Sequence, residues 1–390
     1  MFGPDPIINN SKWSRALAEI GYKSETYTDG ICSSINTRLD YDRIIQDTFP
    51  WFSNLWARLF GFIEALFKYD YFVISFNGFF LGNTALWKLE SFLLKMAKKR
   101  IIVFPFGLDA YIYHRIRSTS LMHGLMMSLP MFSKQQKKIA KRVDYWCTEA
   151  DIVIPGLMGP DGIGRWDILS WNPIYLDLSK WRPQKIKNIA DGINKTVVIA
   201  HAPNFRGFKG TEFIINSIDL LKREGLKIEL ILIEKKQNSE VYDILTQKAD
   251  IHVEQIIATG HGLNAVEGMA AGLPVISNLE DETYTLPFRR WSFLNECPIV
   301  SASPETLTDV LRELVTNPKL REDLGKASRD YAVKYHGHDA AQYLFGKIVE
   351  KLEGGDVDLI NLYNPLSSEF NRRLPKVKHP LKNNKIFTVK

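Results

Sequence analysis

The sequence predicts an α/β protein with two domains, each built around a parallel β-sheet. From Lys195 onward, short β-branched runs alternate with segments whose apolar residues recur at helical spacing, which is the pattern of βαβ units. The N-terminal half shows the same alternation less regularly. The length of 390 residues exceeds the size at which one hydrophobic core usually stops growing, so two domains are expected.

The predicted strands form one group in each half of the chain. In the C-terminal half, the candidate strands are residues 196–201, 227–233, 251–257, 274–279 and 298–302. In the N-terminal half, a predicted helix at residues 11–20 is followed by three candidate strands, at residues 71–76, 101–106 and 151–155. A Rossmann-like domain ought to begin with a buried strand, but only Met1 and Phe2 precede Gly3. Either the start is truncated or this sheet is abbreviated.

Two segments interrupt the alternation. Residues 181–194 begin with W-R-P and continue with polar residues, which is typical of an interdomain linker. Residues 354–390 carry several helix breakers and a basic bias, which indicates an extended tail. We therefore expect an N-terminal domain over residues 1–182, a C-terminal domain over 183–336, and a helix and tail over 337–390 that return to the N-terminal domain.

Composition excludes several classes of protein. Apolar residues make up 45% and charged residues 24% of the chain, the mix of an ordinary globular protein. Cys32, Cys147 and Cys297 are far apart and form no C-x-x-C pair, which argues against a disulfide framework and a thiolate metal site. No membrane span and no secretion signal is recognisable, so we expect a cytoplasmic protein.

The net charge of +6 is concentrated in three basic runs, at residues 95–100, 134–142 and 372–390. Such runs are usually solvated surface, and the alternatives are contacts with nucleic acid or with anionic lipid. No nucleic-acid motif accompanies them, so we expect no nucleic acid and favour an anionic membrane surface. The aromatic segment 51–68 suits either the core of the N-terminal domain or a helix in a bilayer interface.

The first candidate binding cluster is H-A-P-N-F-R-G-F-K-G at residues 201–210, between a predicted strand and a predicted helix. Ligands of open α/β sheets bind at this end of the strands, where a helix N-terminus supplies unpaired N–H groups. Arg206 and Lys209 add two cations, which suit a diphosphate that gathers negative charge as it departs. The alternative is a solvated turn with two surface cations.

The second cluster, T-G-H-G-L-N-A-V-E-G-M-A-A-G-L-P-V-I, spans residues 259–276. Gly260 and Gly262 allow a ligand to approach the backbone. Glu267 lies one to two turns into a largely apolar helix, where a carboxylate needs a partner. An ionised carboxylate accepts hydrogen bonds only, and the two hydroxyls of a ribose are matching donors. The alternative is a glutamate on the helix surface.

From about His201 to His336, these motifs resemble the nucleotide-sugar-binding domain of GT4-type glycosyltransferases. The resemblance lies in H-A-P-N-x-R-x-x-K-G and in G-x-G-x-x-x-x-E-G-M-A-A-G-L-P-V-I. The run N-P-I-Y-L-D at 172–177, before W-R-P at 181–183, is similar to the N-P-I-D-x-x-x-F-R-P run that ends the first domain of that family. The resemblance implies the GT-B fold, two Rossmann-like domains facing each other across a cleft.

The resemblance also implies roles for particular residues. Arg206 and Lys209 fall on the pair that holds the donor diphosphate, and Glu267 on the second glutamate of the E-x7-E motif, which holds the ribose. Thr259 stands where the first glutamate contacts the donor sugar, so sugar identity is in doubt. The full predicted nucleotide-sugar set is His201, Arg206, Lys209, Thr259, Gly260, His261, Gly262, Leu263 and Glu267. On the acceptor side the candidates are Gly3 and Asp109, and the catalytic candidates are Arg206, Lys209 and Asp109.

The predicted activity is therefore hexosyl transfer (EC 2.4) from a nucleotide sugar to a glycan or lipid-linked acceptor, in bacterial surface polysaccharide synthesis. The resemblance implies retention of anomeric configuration. We expect no metal and no cofactor, and the co-substrate is a nucleotide sugar of the UDP or GDP type. A D-x-D sequence of the kind that binds a metal in GT-A enzymes occurs at residues 356–358, and we interpret it as coincidence. The alternatives are a GT-B epimerase and an inactive sugar-nucleotide or glycan-binding protein. The evidence for the inactive protein is Thr259 and also Phe106, which cannot donate a hydrogen bond where relatives often carry a histidine-containing loop facing the sugar.

Overall fold

A computed structural model describes residues 1–31, 36–156, 162–183 and 190–386. The chain folds into two compact units. The N-terminal unit comprises Met1–Arg115, Lys134–Tyr175 and His338–Leu362, and the C-terminal unit comprises Ile116–Ser133, Leu176–Gly337 and Tyr363–Lys390. Cys32 and residues 184–189 of the expected linker lie outside the described residues.

Each unit contains a parallel sheet of short strands. The strands are β1 (Tyr27–Thr28), β2 (Arg43–Ile44), β3 (Tyr71–Ile74), β4 (Arg100–Val103), β5 (Ile152–Val153), β6 (Val197–His201), β7 (Ile228–Leu232), β8 (Ile251–Gln255), β9 (Val275–Ser277) and β10 (Val300–Ser301). All eight strands expected from the sequence are present, within a few residues of their predicted ends. The predicted α/β class with a Rossmann-like sheet in each unit is therefore confirmed.

Helices connect these strands. They are α1 (Ile8–Ala18), α2 (Ile45–Thr48), α3 (Asn54–Lys68), α4 (Trp87–Met96), α5 (Thr119–Ser128), α6 (Gln136–Glu149), α7 (Arg206–Lys209), α8 (Thr211–Arg223), α9 (Asn238–Asp243), α10 (Leu263–Ala270), α11 (Glu282–Trp291), α12 (Leu307–Thr316), α13 (Pro318–Tyr335) and α14 (His338–Leu352). A π-helical turn, Ile244–Lys248, continues α9. Short 3-10 turns are Arg38–Asp40, Tyr113–Arg115, Pro130–Gln135, Leu294–Glu296 and Phe370–Arg372.

The first strand position of the N-terminal unit is taken by very few residues. Phe2 forms parallel bridges with Thr26, next to β1, and with Val73 of β3. The Val73 N–H donates to the Met1 carbonyl at 2.9 Å, and the Gly3 N–H donates to the Val73 carbonyl at 3.1 Å. With β1 pairing β2 and β4 lying between β3 and β5, the strand order is β2, β1, Phe2, β3, β4, β5. Phe2 thus occupies the strand position between β1 and β3.

The C-terminal sheet has the order β10, β9, β8, β6, β7, with all its pairs parallel. From β6 the chain crosses to β7 on one side and then continues to β8 on the other, so the direction of winding reverses between β6 and β8. In open α/β sheets, ligands bind outside the carboxyl ends of the strands at such a switch point. The core beneath it joins β6 to the apolar faces of α8 and α12, through Val197, Ile199, Ile214, Ile218, Leu311 and Leu314.

Segment 116–133 is part of the C-terminal unit, although the sequence analysis includes it in the N-terminal domain. The Ser128 hydroxyl accepts a hydrogen bond from the Phe208 N–H at 2.7 Å. A Cβ on Gly124 would lie 2.9 Å from the Ala258 Cβ, so only glycine lets α5 approach this closely. These partners are far away in sequence, which is why no local pattern predicts the docking of α5.

The C-terminal tail is divided between the two units. Residues 338–362 belong to the N-terminal unit, where the Gln342 amide on α14 donates to the Ala16 carbonyl at 2.8 Å. Residues 363–386 belong to the C-terminal unit instead. There the Ser301 N–H of β10 donates to the Asn384 carbonyl at 2.7 Å, and the Asn384 amide donates to the Ile299 carbonyl at 2.9 Å. These bonds satisfy backbone groups at the edge of the sheet, which is why the tail stays there.

Candidate functional site

The two predicted binding clusters meet at the switch point of the C-terminal sheet. One follows β6 and forms α7, and the other follows β8 and leads into α10. The Ile256 N–H donates to the Lys209 carbonyl at 3.1 Å, and the Ala258 N–H donates to the Phe208 carbonyl at 3.3 Å. Gly210 between α7 and α8 has a φ of +76°, and a Cβ there would lie 2.6 Å from the Ile256 side chain. A glycine is therefore needed for this close contact between the two loops.

Arg206, the first predicted phosphate ligand, is the first residue of α7 and is 41% exposed at its side chain. Its guanidinium pairs with Glu212 at 2.7 Å and with Glu234 at 2.9 Å. Hydrogen bonds to these two carboxylates raise the pKa of Arg206. Arg206 thus lies at the predicted edge of the sheet, with its charge balanced by the protein's own carboxylates.

Lys209, the second predicted phosphate ligand, is largely buried. Its ammonium forms an ion pair with Glu254, whose side chain is 1% exposed, and donates to Gln255 Oε1 at 2.9 Å. The Gly262 N–H, at the start of α10, also donates to Glu254 Oε1, at 3.3 Å. Glu254 is not among the residues predicted from the sequence. A glutamate within the apolar run of a buried strand is the signal that could have identified it.

The glycine turn before α10 has the backbone that the motif predicts. Gly260 has a φ of +98°, a conformation that favours glycine, and its N–H donates to the Asn278 carbonyl at 2.8 Å. The Thr259 hydroxyl is buried and donates to the same carbonyl at 3.2 Å. Gly262 is the N-cap of α10 and Leu263 is its first residue. Gly262 lies close to Lys209, since a Cβ there would be 4.0 Å from the ammonium nitrogen. Thr259 does not supply the carboxylate of the usual motif.

Glu267 is buried on α10 and is held by two amides. The Asn238 amide, at the start of α9, donates to Glu267 Oε1 at 3.2 Å, and the Asn264 amide donates to Oε2 at 3.1 Å. A carboxylate has about four acceptor positions, so these two bonds leave capacity for a diol. Asn238 was not identified from the sequence because its helix follows a different strand, β7.

The two histidines of the predicted set, His201 and His261, are both buried. His201 Nδ1 lies 2.8 Å from the Val253 carbonyl and Nε2 lies 2.9 Å from the Thr211 hydroxyl, so both ring nitrogens are occupied within the protein. Burial lowers the pKa of His201 to about 4. Burial, with a contribution from His336, lowers the pKa of His261 to about 3. His201 therefore joins β6, β8 and α8 and presents no nitrogen to a ligand.

The predicted acceptor-side residues lie in the N-terminal unit, at the carboxyl ends of its central strands. Asp109 is buried and accepts backbone N–H bonds from Phe76 at 3.1 Å, Phe106 at 3.0 Å and Gly107 at 2.9 Å. Burial and the nearby Asp5 raise the pKa of Asp109 to about 7. Gly3 permits close packing, since a Cβ there would lie 2.1 Å from the Tyr27 carbonyl oxygen.

Asp5 is a second carboxylate at this edge, which the sequence analysis did not identify. It accepts a hydrogen bond from the Ser75 hydroxyl at 2.5 Å and one from the Asn77 amide at 3.5 Å. Burial raises the pKa of Asp5 to about 6. Asp5 and Asp109 together give the N-terminal unit a pair of carboxyl groups that exchange protons near neutral pH.

Metal-ligating side chains do not cluster in this protein: across the described ranges, no group of three or more His, Cys, Asp or Glu residues could hold a metal ion. Asp358 of the D-x-D sequence accepts hydrogen bonds from the Asn361 N–H at 3.2 Å and from its amide at 2.9 Å. This carboxylate therefore stabilises a local turn in the tail.

Most of the aromatic segment 51–68 forms α3, whose buried face consists mainly of small residues. Ala57, Gly61, Phe62 and Ala65 are buried, whereas Trp51 is 92% and Phe67 86% exposed. Leu55, Trp56 and Ile63 are exposed as well, as are Leu89, Phe92 and Met96 on α4. We call the five exposed residues of α3 and its preceding turn, Trp51, Leu55, Trp56, Ile63 and Phe67, the aromatic surface. None of the helices within the described ranges has the length and hydropathy needed to span a bilayer.

Comparisons with known proteins agree with this geometry. Residues 193–331 match the family model of the glycosyl transferases group 1, and they include both binding clusters. No curated protein matches the chain in sequence.

Three solved structures are similar in fold at low identity. A protein of Listeria monocytogenes assigned as a UDP-N-acetylglucosamine 2-epimerase is 11% identical, with a TM-score of 0.46, over 91% of this chain and 96% of its own. The S. aureus MnaA–UDP structure is 12% identical, with a TM-score of 0.46, over 90% and 95%. A variant of the wall teichoic acid polymerase TagF with CDPG is 11% identical, with a TM-score of 0.42, over 90% and 87%.

The family match, together with a Rossmann-like sheet in each unit, confirms the predicted GT-B class. Residues 193–331 of this protein are therefore similar to the glycosyl transferases group 1 domain.

Proposed function

We propose that the protein is a metal-independent, retaining GT4-type glycosyltransferase that moves a hexosyl group from a UDP or GDP sugar to a glycan or lipid-linked acceptor. The observation that carries this proposal is Glu267. Its carboxylate is oriented by two amides, lies on the helix that follows the switch-point strand β8, and retains acceptor capacity for a ribose diol. The similarity to the glycosyl transferases group 1 domain supports the same assignment.

In this proposal the donor diphosphate lies between α7 and the N-terminus of α10. Arg206 and Lys209 stabilise the negative charge that builds up on the leaving diphosphate as the glycosidic bond breaks. The turn at Gly260 and Gly262 lets the phosphates approach the backbone. The resemblance to GT4-type enzymes suggests that the donor phosphate itself assists the deprotonation of the acceptor, and we assign that step to it.

We assign the acceptor to the N-terminal unit. Asp109, with a pKa raised to about 7, can hold or release a proton near neutral pH, and Asp5 adds a second such group. An acceptor hydroxyl that binds at this edge would meet hydrogen-bonding groups at the ends of three neighbouring strands. Surface polysaccharide synthesis is the process that we propose for such an acceptor.

An inactive binding protein is the second candidate. It is favoured by Thr259, a hydroxyl in place of the expected carboxylate, and by the pairing of Arg206 and Lys209 with carboxylates of the protein. Such a protein would bind a nucleotide sugar without cleaving it, so the two candidates differ in turnover and not in binding.

The experiment that separates them is the release of UDP or GDP from a panel of nucleotide sugars. We expect the purified protein to hydrolyse one of them slowly and to do so equally in EDTA, because Arg206 and Lys209 replace the charge of a metal. Tight binding of a sugar nucleotide without any release would favour the inactive candidate. Activity that EDTA abolishes and Mn²⁺ or Mg²⁺ restores would contradict metal independence.

We further propose that the aromatic surface binds the cytoplasmic membrane face, where a lipid-linked acceptor resides. Its large apolar side chains are exposed to solvent. Three further apolar residues on α4, Leu89, Phe92 and Met96, are exposed as well. The basic run 95–100 follows directly, with Lys95 and Lys98 exposed. Each such cation near an anionic surface contributes about 1 kcal/mol, and the aromatic side chains add a salt-resistant contribution.

This proposal predicts co-sedimentation with vesicles that contain phosphatidylglycerol. Binding should weaken at high salt without vanishing, and the double substitution Trp51→Ala with Trp56→Ala should reduce it at least about tenfold, since two interfacial aromatic anchors are lost. Trp291→Ala is the matched control, because Trp291 is also exposed but lies in the C-terminal unit. A parent protein that stays in the supernatant at all salt concentrations would contradict membrane binding.

A further inference from the structure

The cations of the candidate donor site are already paired within the protein. Arg206 contacts Glu212 and Glu234, and these pairs are exposed, so water and salt screen them. The pair of Lys209 with Glu254 is different, because both side chains are almost completely buried. A buried pair is screened far less, so Glu254 decides how much positive charge Lys209 offers to a ligand.

Glu254 also contacts the other part of the site. Its Oε1 accepts the Gly262 N–H at the N-cap of α10, in addition to the Lys209 ammonium, and the Ser277 hydroxyl lies 3.3 Å from Oε2. A lysine ammonium together with the first N–H of a helix is the donor set that a phosphate oxygen uses. The carboxylate of Glu254 thus takes up the same two donors in this structure.

We infer that Glu254 is a positioning residue of the donor site that competes with the donor diphosphate for Lys209 and for the N-terminus of α10. The inference rests on the proposed function. The product, a nucleoside diphosphate, has a free terminal phosphate and carries more negative charge than the nucleotide sugar. In a site without a metal, uncompensated cations would hold this product more tightly than the substrate. A competing carboxylate reduces that difference and favours product release.

The inference gives Glu254 a role distinct from stability. A buried ion pair can often be replaced as a whole by apolar residues of similar volume without loss of stability, although removing one partner alone is destabilising. Stability by itself therefore does not explain why a charged pair stands here. If Glu254 only stabilised the loops, its removal would weaken nucleotide binding. If it competes with the diphosphate, its removal strengthens binding, and the two explanations predict changes of opposite sign.

The test is Glu254→Gln, which keeps the shape and an acceptor oxygen but removes the charge. By calorimetry, the Kd of UDP or GDP should fall by about tenfold, and that of UDP-glucose or GDP-mannose should fall less, because the sugar masks one phosphate charge. If release of the nucleoside diphosphate limits turnover, kcat and KM of the Glu254→Gln variant should fall together. Glu212→Gln is the control, since it removes one charge from an exposed pair and should change Kd less than about threefold.

Several outcomes would overturn the inference. A Kd that rises or stays constant in Glu254→Gln, while Glu267→Ala weakens binding, would reject competition and leave the proposed function intact. If neither UDP, GDP nor their sugars bind the parent protein, the proposed function itself fails. Should Glu254→Gln not fold, Glu254→Asp retracts the carboxylate by one methylene and should tighten UDP or GDP binding by a smaller factor. Unchanged or weaker binding in that variant would reject the inference as well.

Discussion

Glu267→Ala is expected to weaken binding of the nucleotide by about 100-fold or more while the protein stays folded. The carboxylate is proposed to accept two hydrogen bonds from the ribose, and hydrogen bonds to a charged group contribute about 1.5–3 kcal/mol. The fold depends on it less, because its two partners, Asn238 and Asn264, are side-chain amides that water can reach.

Calorimetry with UDP and GDP measures this effect, and circular dichroism checks the fold. Glu313→Ala is a matched control, because Glu313 on α12 also accepts a hydrogen bond from an asparagine amide, that of Asn317 at 3.0 Å. It should bind nucleotide like the parent. Equal affinity in Glu267→Ala and in the parent would show that the ribose assignment is wrong.

The C-terminal unit is expected to lose stability steeply as the pH falls below about 6.5. Burial lowers the pKa of His201 to about 4 and the pKa values of His252 and His261 to about 3 each. A histidine whose pKa is lower in the folded state stabilises the fold above its unfolded pKa, and this stability is lost as the pH falls. Each contributes about 1.4 kcal/mol per pH unit, so the three together remove about 5 kcal/mol between pH 6.5 and pH 5.

The N-terminal unit should respond in the opposite direction. Burial raises the pKa values of Asp5, Asp109 and Glu90 to about 6, 7 and 8. A carboxyl group whose pKa is higher in the folded state stabilises the fold in acid, and that stability is lost as the pH rises from about 4 through these values. The two units should therefore separate into two unfolding transitions at acid pH.

Scanning calorimetry from pH 5 to pH 8, with hydrogen exchange to assign each transition, measures this divergence. His252→Leu, which cannot titrate, should reduce the acid sensitivity of the C-terminal unit by about 1.4 kcal/mol per pH unit. His379→Leu is the control, because His379 is only half-buried and lies in the tail of the same unit. A C-terminal unit that becomes more stable between pH 6.5 and pH 5 would contradict the account.

The strands could be predicted because short β-branched runs bounded by turn residues favour a strand over a helix. Phe2 could not be recognised as a strand position, since a single pair of bridges has no periodicity. The docking of α5 depends on Gly124 and Ala258, which are adjacent only in three dimensions. Local sequence patterns contain no information about such contacts.

In the candidate site, too, some residues could be predicted from local motifs and others could not. Arg206, Lys209 and Glu267 follow from the motifs, because each lies on the first helix after a strand. Glu254 and Asn238, by contrast, reach the site from within a strand and from a helix after a different strand. Proximity in sequence was also misleading for His201, since its ring turns toward Val253 and Thr211 and away from the ligand loops.

Hydrogen exchange with and without a bound nucleotide tests the central claim most directly. A thermal-shift screen first identifies which of UDP, GDP and their sugars binds, since a ligand at about 100 times its Kd adds roughly 2.7 kcal/mol of stability. The account predicts slower exchange at residues 205–210 and 256–267, around the ends of β6 and β8. Protection confined to the N-terminal unit, or no binding by any nucleotide in the screen, would contradict it.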